Sequence, residues 1–376
     1  MATASRRVVL AANSSWNIVN FRGGLIAAVK AAGYDPVVIA PVDADAEPRM
    51  EKLGVERIVI GMERSGLNPL ADLGLLLKYR SLLKRLRPVA YLGFTIKPNI
   101  YGCLAARSTG VPAIANISGL GTVFIKQGPL LALVSRLYRL ALKRVAVAFF
   151  QNPDDLELFV GRGLVRRDQA RLVPGSGVDL DCFAPTPLPD GPVTFLLIAR
   201  LLGDKGVREF VAAARMVSKD VADARFQLLG PLDEGNRTAV TRLELERWVA
   251  DGNVEYLGAT DDVRPFVARA TAVVLPSYRE GLPRSLLEAA AMARPLIATD
   301  VPGCREVVEL GVNGLLCEVR SSASLAKAMK DFAELPAAIR TQMGLESRRM
   351  VERHYSQTVV IRAYLDALGK LGASRS

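Results

Sequence analysis

The sequence of 376 residues contains little histidine and cysteine, and this shortage excludes several kinds of active site. Its one histidine is His354. The four cysteines are widely spaced and include no CxxC pair: Cys103, Cys182, Cys304 and Cys317. A Ser-His-Asp triad, a Cys-His dyad, a multi-histidine zinc site and a disulfide framework are therefore not expected. Cysteines used in this way fit the reducing cytoplasm.

Long apolar runs are also missing. No run approaches the roughly 20 residues that a membrane-spanning helix needs. The first residues, MATASRRVVLAA, lead directly into a strand pattern, without the apolar segment of a signal peptide. We therefore expect a chain without a leader or a spanning segment.

Acidic residues are absent from residues 73–150, which contain twelve lysines or arginines. Residues 1–175 carry a net charge of +12 and residues 176–376 a net charge of −1. Such a field attracts a membrane surface, a nucleic acid or a phosphorylated substrate. A nucleic-acid partner is disfavoured, because the few aromatic residues of this region show no stacking pattern.

Short apolar runs alternate with amphipathic stretches, which is typical of a parallel sheet covered by helices. Strands of the first half are predicted near residues 7–12, 36–40, 55–60, 89–93, 112–116 and 146–150. Helices between them are predicted over residues 22–32, 70–86, 98–109 and 129–144. After a stretch rich in proline and glycine, 173–192, the strands resume near residues 193–200, 225–229, 254–257, 272–276, 295–299 and 314–318.

This pattern predicts an α/β protein with two doubly wound, Rossmann-like domains that face a central cleft. The expected boundaries are 1–180 for the first domain and 181–355 for the second. An amphipathic helix in 356–376 is expected to pack back on the first domain. Ligands are expected outside the carboxyl ends of the strands.

The stretch YREGLPRSLLEAAAMARP, residues 278–295, places two acids around a predicted helix start. Pro283 suits the first turn of a helix, and the amides that follow it form an anion site. Glu280 precedes this site and Glu288 lies about a turn and a half inside the helix. Their carboxylates can accept hydrogen bonds from the two ends of a nucleoside diphosphate sugar. The alternative is that Glu280 is a solvated turn residue and that Glu288 is a surface residue of the helix.

Two cations and a glycine follow other predicted strands of the second half. Arg200 and Lys205 come after the strand that ends at Ala199, where they can neutralise a leaving diphosphate. Gly258 directly follows another strand, where a base can approach the backbone closely. Alternatively, the two cations are ordinary solvated side chains. The order of these signals on successive strand ends is more specific than any one of them.

Two DxD patterns, in 43–45 and 179–181, are candidate metal-binding segments. The first lies in a polar loop and the second in the linker, so both are interpreted as turn residues. We expect no metal and no cofactor, because Arg200, Lys205 and the helix start can stabilise the departing diphosphate instead.

The second half resembles the retaining glycosyltransferases of family 4 in the segments GVDLDCFAP, IARLLGDKGVREF and VEYLGATDDVRPFVARATAVVLPSYREGLPRSLLEAAAMARPLIATDVPGCREVVELGVNGLL. The resemblance covers nearly the whole chain and implies the GT-B fold. In the family, the residues that match Arg200 and Lys205 bind the donor diphosphate. The residue that matches Glu280 faces the donor sugar, and the one that matches Glu288 holds the ribose.

This resemblance implies three catalytic residues, Glu280, Arg200 and Lys205. Further donor-binding residues are Gly258, Gly281, Leu282, Pro283, Arg284 and Glu288. Many members have glycine at the position of Pro283, so the contacts to the sugar are expected to differ here. A nucleotide sugar, UDP-linked, is the expected donor.

The first half, with SSWNIVNFRG and TIKPNIYGCLAARSTGVPAIANISGLGTVFIKQG, resembles a subgroup that extends undecaprenyl-diphosphate-linked sugars, including N-acetylgalactosaminyltransferases. The acceptor-side residues implied in this half are Asn17, Arg22, Lys97, Asn99, Asn116 and Gly119. Many members have a histidine near the acceptor, which this half lacks. Lys97 and Asn116 are both candidates for its position. The GLGT segment, 119–122, is either a loop beside the cleft or a plain turn.

The stretch PLLALVSRLYRLALKR, 129–144, has apolar and basic residues at helical spacing. The apolar residues are Leu130, Leu133, Leu137 and Leu140, and the basic residues are Arg136, Arg139 and Lys143. Residues 75–88 repeat this pattern. One interpretation is a helix with its leucines in the core and a solvated basic face. The other is a surface for anionic lipid, which predicts a peripheral protein on the inner face of the cell membrane.

The sequence therefore predicts retaining, metal-independent transfer of an N-acetylhexosamine to an undecaprenyl-diphosphate-linked saccharide. The alternative is a GT-B nucleotide-sugar epimerase or hydrolase, which keeps the donor site and needs no lipid acceptor. Such sites often use several acids or histidines, and the sequence does not offer them.

Overall fold

The computed structural model describes residues 6–62, 68–120, 124, 128–236 and 238–373. The chain forms two compact units. The first runs to Ser176 and resumes at Thr358, and the second is Gly177–Gln357. The boundary at 176/177 falls within the stretch rich in proline and glycine, four residues before the predicted position.

Within its described residues, the first unit has a parallel sheet of seven strands in the order β3-β2-β1-β4-β5-β6-β7. The strands are β1 (Arg7–Ala11), β2 (Asp35–Ala40), β3 (Glu56–Val59), β4 (Ala90–Gly93), β5 (Ala113–Ile117), β6 (Val147–Phe150) and β7 (Ala170–Leu172). Apolar runs form the central strands because both faces of a parallel sheet are covered by helices. The short edge strand β7 was not predicted from the sequence.

The helices of this unit are α1 (Ser15–Phe21), α2 (Gly23–Ala31), α3 (Glu47–Lys52), α4 (Pro69–Leu86), α5 (Cys103–Thr109), α6 (Pro129–Leu142) and α7 (Pro153–Gly161). Short 3₁₀ and π-helical turns occupy Ala44–Ala46 and Pro98–Gly102. Helix α1 was not predicted, although Ser14 accepts a hydrogen bond from the Asn17 amide as an N-cap.

The second unit has, among the residues described, a parallel sheet of six strands in the order β10-β9-β8-β11-β12-β13. The strands are β8 (Thr194–Ile198), β9 (Arg225–Leu229), β10 (Glu255–Tyr256), β11 (Ala272–Leu275), β12 (Leu296–Thr299) and β13 (Gly314–Cys317). A 3₁₀ turn, Gly203–Lys205, precedes the first of its helices. The helices are α8 (Val207–Val217), α9 (Arg242–Ala250), α10 (Arg264–Arg269), α11 (Arg284–Ala291), α12 (Ser322–Glu334) and α13 (Ala337–His354).

The last helix, α14 (Gln357–Ala373), contributes to the core of the first unit. Its Tyr364 is fully buried, with its ring 4.8 Å from that of Phe149 and 5.8 Å from that of Phe94. The Asn116 side-chain amide donates a hydrogen bond to the Tyr364 hydroxyl oxygen at 2.5 Å. In turn, Asn99 donates to the main-chain oxygen of Asn116 at 2.7 Å. This buried chain of hydrogen bonds joins α14 to the first sheet.

Helix α6 packs against the core mainly through other apolar residues than the leucines of the sequence pattern. The residues it buries include Leu131, Val134 and Tyr138. The leucines of the sequence pattern that are exposed are Leu130, Leu133 and Leu140. The helix thus packs on the core and exposes its basic residues, as one interpretation expected, but three of the four leucines of the sequence pattern lie on the exposed side. Among the described helices, none combines the length and the apolar character needed to cross a bilayer.

Candidate functional site

The centre of the second sheet is its topological switch point. From β8 the chain proceeds outward to β9 and β10, and it then returns to β11, on the other side of β8. The loops that leave the carboxyl ends of β8 and β11 are therefore neighbours. Ligands of doubly wound sheets bind at this point.

Lys205 and Glu280 meet across the switch point. The Lys205 Nζ donates a hydrogen bond to Oε1 of Glu280, and Ser277 Oγ donates to the same oxygen at 2.5 Å. Both charged side chains are largely buried, with 25% and 13% of their surfaces exposed. Charge interactions are strengthened in such partly buried surroundings. The site thus has a fixed carboxylate beside a cation that can bind phosphate.

Gly206 allows the two loops to approach this closely. Its φ is +71°, and a Cβ atom built on it would lie 2.0 Å from the Pro276 carbonyl oxygen. The Tyr278 amide also donates to the Asp204 carbonyl oxygen at 2.9 Å. Because a side chain at residue 206 would separate the loops, glycine is needed for the position of Lys205.

Arg200 lies on the same loop but has a different partner. Its Nη1 donates to Oδ2 of Asp233 at 2.7 Å, and its side chain is 56% exposed. Asp233 follows β9, the neighbour of β8, and was not recognised in the sequence. The PLDEG stretch after a predicted strand was the available signal.

The predicted helix start is present one residue later than expected. Pro283 is the N-cap, and α11 begins at Arg284. Gly281, Leu282 and Pro283 are buried, and proline supplies no side-chain cap. The first-turn amides therefore point out of the helix end, where an anion is stabilised. Ser277, three residues before Glu280, is a further residue of the site that sequence reasoning missed.

Glu288 lies one turn inside α11 and is paired with Arg284. The distance from Arg284 Nε to Glu288 Oε1 is 2.5 Å, and the Glu288 side chain is 12% exposed. Burial raises the pKa of this carboxyl group, and the Arg284 guanidinium acts in the opposite direction. Such a carboxylate gains from further hydrogen-bond donors, for example sugar hydroxyls.

Gly258 lies two residues after β10 and has a φ of +78°. A Cβ atom built on it would have no heavy atom within 4 Å, so the space beside its backbone is open. This placement suits the close approach of a planar ligand group.

The acceptor-side residues predicted in the first unit have different partners. Asn99 and Asn116 belong to the buried chain that ends at Tyr364, and Arg22 is buried against the Phe94 ring at 4.2 Å. Lys97 is buried in an ion pair with Asp72. The remaining two residues lie on α1 and after β5: Asn17 and Gly119. Of the GLGT segment, residues 121 and 122 lie outside the described residues.

The two DxD segments are found in turns. Asp179 Oδ1 accepts hydrogen bonds from the amides of Asp181 and Cys182, at 3.1 Å and 2.9 Å. Asp43 Oδ2 accepts one from the Trp16 amide at 3.4 Å. The described residues contain no group of three or more histidine, cysteine, aspartate or glutamate side chains arranged to hold a metal ion.

Comparisons with known proteins identify the family. Residues 19–175 match the model of the glycosyl transferase 4-like domain, and residues 192–334 match that of glycosyl transferases group 1. The chain is 30% identical over 346 residues to the N,N'-diacetylbacillosaminyl-diphospho-undecaprenol alpha-1,3-N-acetylgalactosaminyltransferase of Campylobacter jejuni, covering 87% of this chain and 89% of that protein. The chain belongs to the group 1 glycosyltransferases. It is a glycosyltransferase by family as well as by sequence pattern.

Solved structures confirm the GT-B fold of this glycosyltransferase. The sucrose-phosphate synthase of Thermosynechococcus elongatus superposes with a TM-score of 0.80 at 18% identity, over 98% of this chain and 99% of that one. Anabaena HepE, solved in complex with UDP-glucose, gives a TM-score of 0.80 at 16% identity, over 97% and 99% of the two chains. The predictions of family and fold are thus confirmed.

Proposed function

We propose that this glycosyltransferase transfers an N-acetylhexosamine from a UDP-sugar to an undecaprenyl-diphosphate-linked saccharide, with retention of configuration. The Lys205–Glu280 pair at the switch point of the second sheet carries the proposal. The name of the Campylobacter jejuni relative, which specifies a diphospho-undecaprenol acceptor and an N-acetylgalactosaminyl group, supports the choice of substrates.

In this proposal the second unit binds the donor. Lys205 and Arg200 neutralise the diphosphate, together with the first-turn amides of α11. Glu280 accepts a hydrogen bond from a hydroxyl of the donor sugar, and Glu288 accepts from the ribose. Ser277 keeps the Glu280 carboxylate in place when the Lys205 ammonium also contacts phosphate.

The proposed reaction needs no base from the protein to take the proton of the acceptor hydroxyl. The acceptor hydroxyl forms the new bond to the anomeric carbon from the side on which the diphosphate leaves. The bond between the anomeric carbon and the phosphate oxygen breaks, and a donor phosphate oxygen takes the hydroxyl proton. Because side-chain cations and helix amides stabilise the leaving charge, no metal ion is required.

The acceptor is proposed to reach the first unit at a membrane surface. Three exposed leucines lie on α4 and three on α6: Leu70, Leu73, Leu77, Leu130, Leu133 and Leu140. Both helices pack against the π-helical turn Pro98–Gly102. Exposed basic residues flank the leucines: Lys78, Arg80, Lys84, Arg85, Arg136 and Lys143. Apolar and basic side chains together suit an anionic bilayer interface.

The test is a transfer assay. The protein is incubated with a panel of UDP-sugars and with undecaprenyl-diphosphate-linked N-acetylglucosamine or N-acetylgalactosamine. Transfer to lipid is expected, with an α-linked product from an α-linked donor by NMR. An inverted product would refute retention. Epimerised or hydrolysed donor without any lipid-linked product would refute the transferase proposal and favour the epimerase or hydrolase alternative.

A further inference from the structure

A cavity of about 370 Å³ lies in the first unit, at the carboxyl edge of its sheet. It is lined by Gly61, Met62, Ala71, Asp72, Leu75 and Lys97. The first two follow β3, and Lys97 follows β4. The other three belong to the first turns of α4. The carboxyl edge of such a sheet is where ligands bind.

The polar wall of this cavity is an ion pair. The Lys97 Nζ lies 2.8 Å from Oδ1 of Asp72, and the two residues are only 9% and 5% exposed. The Tyr101 hydroxyl is a further neighbour of the carboxylate. Burial and this hydrogen-bonded carboxylate raise the pKa of the Tyr101 hydroxyl. Asp72 is also the last acid in the sequence before Asp154.

The backbone that follows Lys97 packs on the Tyr91 side chain. The π-helical turn Pro98–Gly102 starts at the next residue, and the Tyr91 hydroxyl donates to the Pro98 carbonyl oxygen at 2.9 Å. A Cβ atom on Gly102 would lie 1.8 Å from that hydroxyl, so the turn rests directly on the Tyr91 side chain. Turns of this kind frequently occur at functional sites.

A buried ion pair is a poor way to stabilise a fold. Desolvation cancels much of the attraction, and apolar residues of similar size often serve equally well. An ion pair that borders a cavity is therefore suited to binding a ligand in that cavity. A carboxylate offers about four lone-pair sites and an ammonium group three donors, so the pair can bind groups that both donate and accept.

We propose that this cavity is a subsite for a sugar ring of the acceptor saccharide. Sugar hydroxyls donate to Asp72 and accept from Lys97, while Met62 and Leu75 pack against the apolar face of the ring. A phosphate group would meet the Asp72 carboxylate, and an acyl chain would offer the pair no hydrogen-bonding groups. The inference rests on the proposed function, because it assigns the cavity to the acceptor of that reaction.

Two variants test the subsite in different ways. Ala71→Trp fills the mouth of the cavity and leaves the ion pair intact, and Ala71 is an exposed residue in the first turn of α4. The double variant Asp72→Leu/Lys97→Met replaces the pair by apolar side chains of similar size, so no buried charge is left alone. Ala27→Trp, at an exposed position of α2, is the matched control.

Kinetics with undecaprenyl-diphosphate-linked N-acetylhexosamine give the first readout. Both test variants are expected to raise the KM for this acceptor about tenfold or more, since hydrogen bonds to charged groups are lost. The affinity for UDP, which shows that the second unit is folded, is expected to stay as in the wild type. A KM within about twofold of the wild type in both test variants, at normal UDP affinity, would overturn the subsite.

Saturation-transfer NMR gives a second readout that needs no transfer activity. The probes are the methyl glycosides of N-acetylglucosamine and N-acetylgalactosamine, with UDP present. At least one is expected to give a signal with wild type and Ala27→Trp and to lose it with Ala71→Trp. If the wild type transferred no sugar, the proposed function would fail while this signal still decided the subsite. Equal signals from wild type and Ala71→Trp would contradict the subsite even in an active transferase.

Discussion

The Nε atom of Arg284 lies 2.5 Å from Oε1 of Glu288, so the cation in the first turn of α11 is bound to the carboxylate one turn further on. The pair is mostly buried. Burial raises the Glu288 pKa and Arg284 lowers it, and the net shift is upward. The protonation state of Glu288 therefore changes at a higher pH than that of an ordinary glutamate.

This pKa predicts a pH dependence of nucleotide binding. The ionised carboxylate is the better acceptor for ribose hydroxyls, and it is lost as the pH falls through the raised pKa, above the ordinary value of 4.5. UDP affinity should therefore decline from neutral to mildly acidic pH in the wild type and much less in Glu288→Gln. Calorimetry at several pH values measures the UDP affinity of both proteins. The protonation of UDP itself affects both proteins equally, so it cancels in the comparison. Parallel pH profiles of the two proteins would rule out this role. Arg284→Met should move the decline to higher pH.

The two glutamates should also affect different kinetic constants. Glu288→Ala removes the proposed partner of the ribose and should weaken UDP binding about tenfold, as expected for lost hydrogen bonds to a charged group. Glu280→Ala should mainly lower kcat, because its carboxylate is proposed to bind the donor sugar and accepts a hydrogen bond from Lys205. Calorimetry with UDP and steady-state kinetics separate the two effects. Equal UDP affinity in wild type and Glu288→Ala would remove the ribose role.

Activity should persist in excess EDTA. Lys205, Arg200 and the first-turn amides of α11 are proposed to stabilise the leaving diphosphate in place of a metal ion. Initial rates of transfer with and without EDTA should agree. Loss of activity that returns on addition of Mn²⁺ or Mg²⁺ would show that one DxD segment, 43–45 or 179–181, was misjudged.

Binding to anionic vesicles should need both charge and leucines. A variant with Arg136→Glu and Lys143→Glu should stay soluble in liposome co-sedimentation. The double variant Leu73→Ser/Leu133→Ser should lose the part of vesicle binding that persists at high salt. Arg139 is not changed, because its guanidinium donates to main-chain carbonyl oxygens after α7.

The matched control for these vesicles is the same charge change in the second unit, Lys219→Glu with Arg247→Glu, which should pellet as the wild type does. If the wild type itself ignored anionic vesicles at low salt, the membrane proposal would be wrong. The acceptor would then be a soluble saccharide.

Tyr364→Phe should destabilise the first unit by about 1–3 kcal/mol, because the buried Asn116 amide loses its acceptor. Urea denaturation followed by hydrogen exchange assigns the loss to the first sheet. Tyr256→Phe removes a hydroxyl that donates to the Gly230 carbonyl oxygen at 3.0 Å, and its effect should appear in the second unit. Unchanged protection of β5 in Tyr364→Phe would contradict the role of this hydrogen bond.

Strand positions were predictable because parallel strands need continuous apolar runs, and each run predicted in the second half became a strand. The site residues could be placed at the carboxyl edge of the sheet for the same reason, because they directly follow these apolar runs. The pairing of Lys205 with Glu280, 75 residues apart, was not. Hydrophobic periodicity predicts which face of a helix or strand is buried. It does not predict which long side chains meet across the edge of a sheet.

Helix α6 and single polar residues show a second limit. Nearly every position of α6 is apolar or basic, so two leucine-containing stripes fit a helical period, and packing alone decided between them. Asp72 and Ser277 belong to no recognisable motif, and the only signal for Asp233 is the PLDEG stretch after a predicted strand. Their partners became apparent only from the tertiary structure.

The return of α14 to the first unit has a consequence for synthesis on the ribosome. Gly177–Gln357 is continuous in sequence, whereas the first unit lacks Tyr364 until α14 has emerged. The unit that is translated second is therefore the one that can complete its core first, in contrast to the usual N-to-C order of domain folding. Until then, the Asn116 side-chain amide lacks its acceptor, and the Tyr364 ring does not cover Phe94 and Phe149. In this state the nascent chain is exposed to chaperones and proteases.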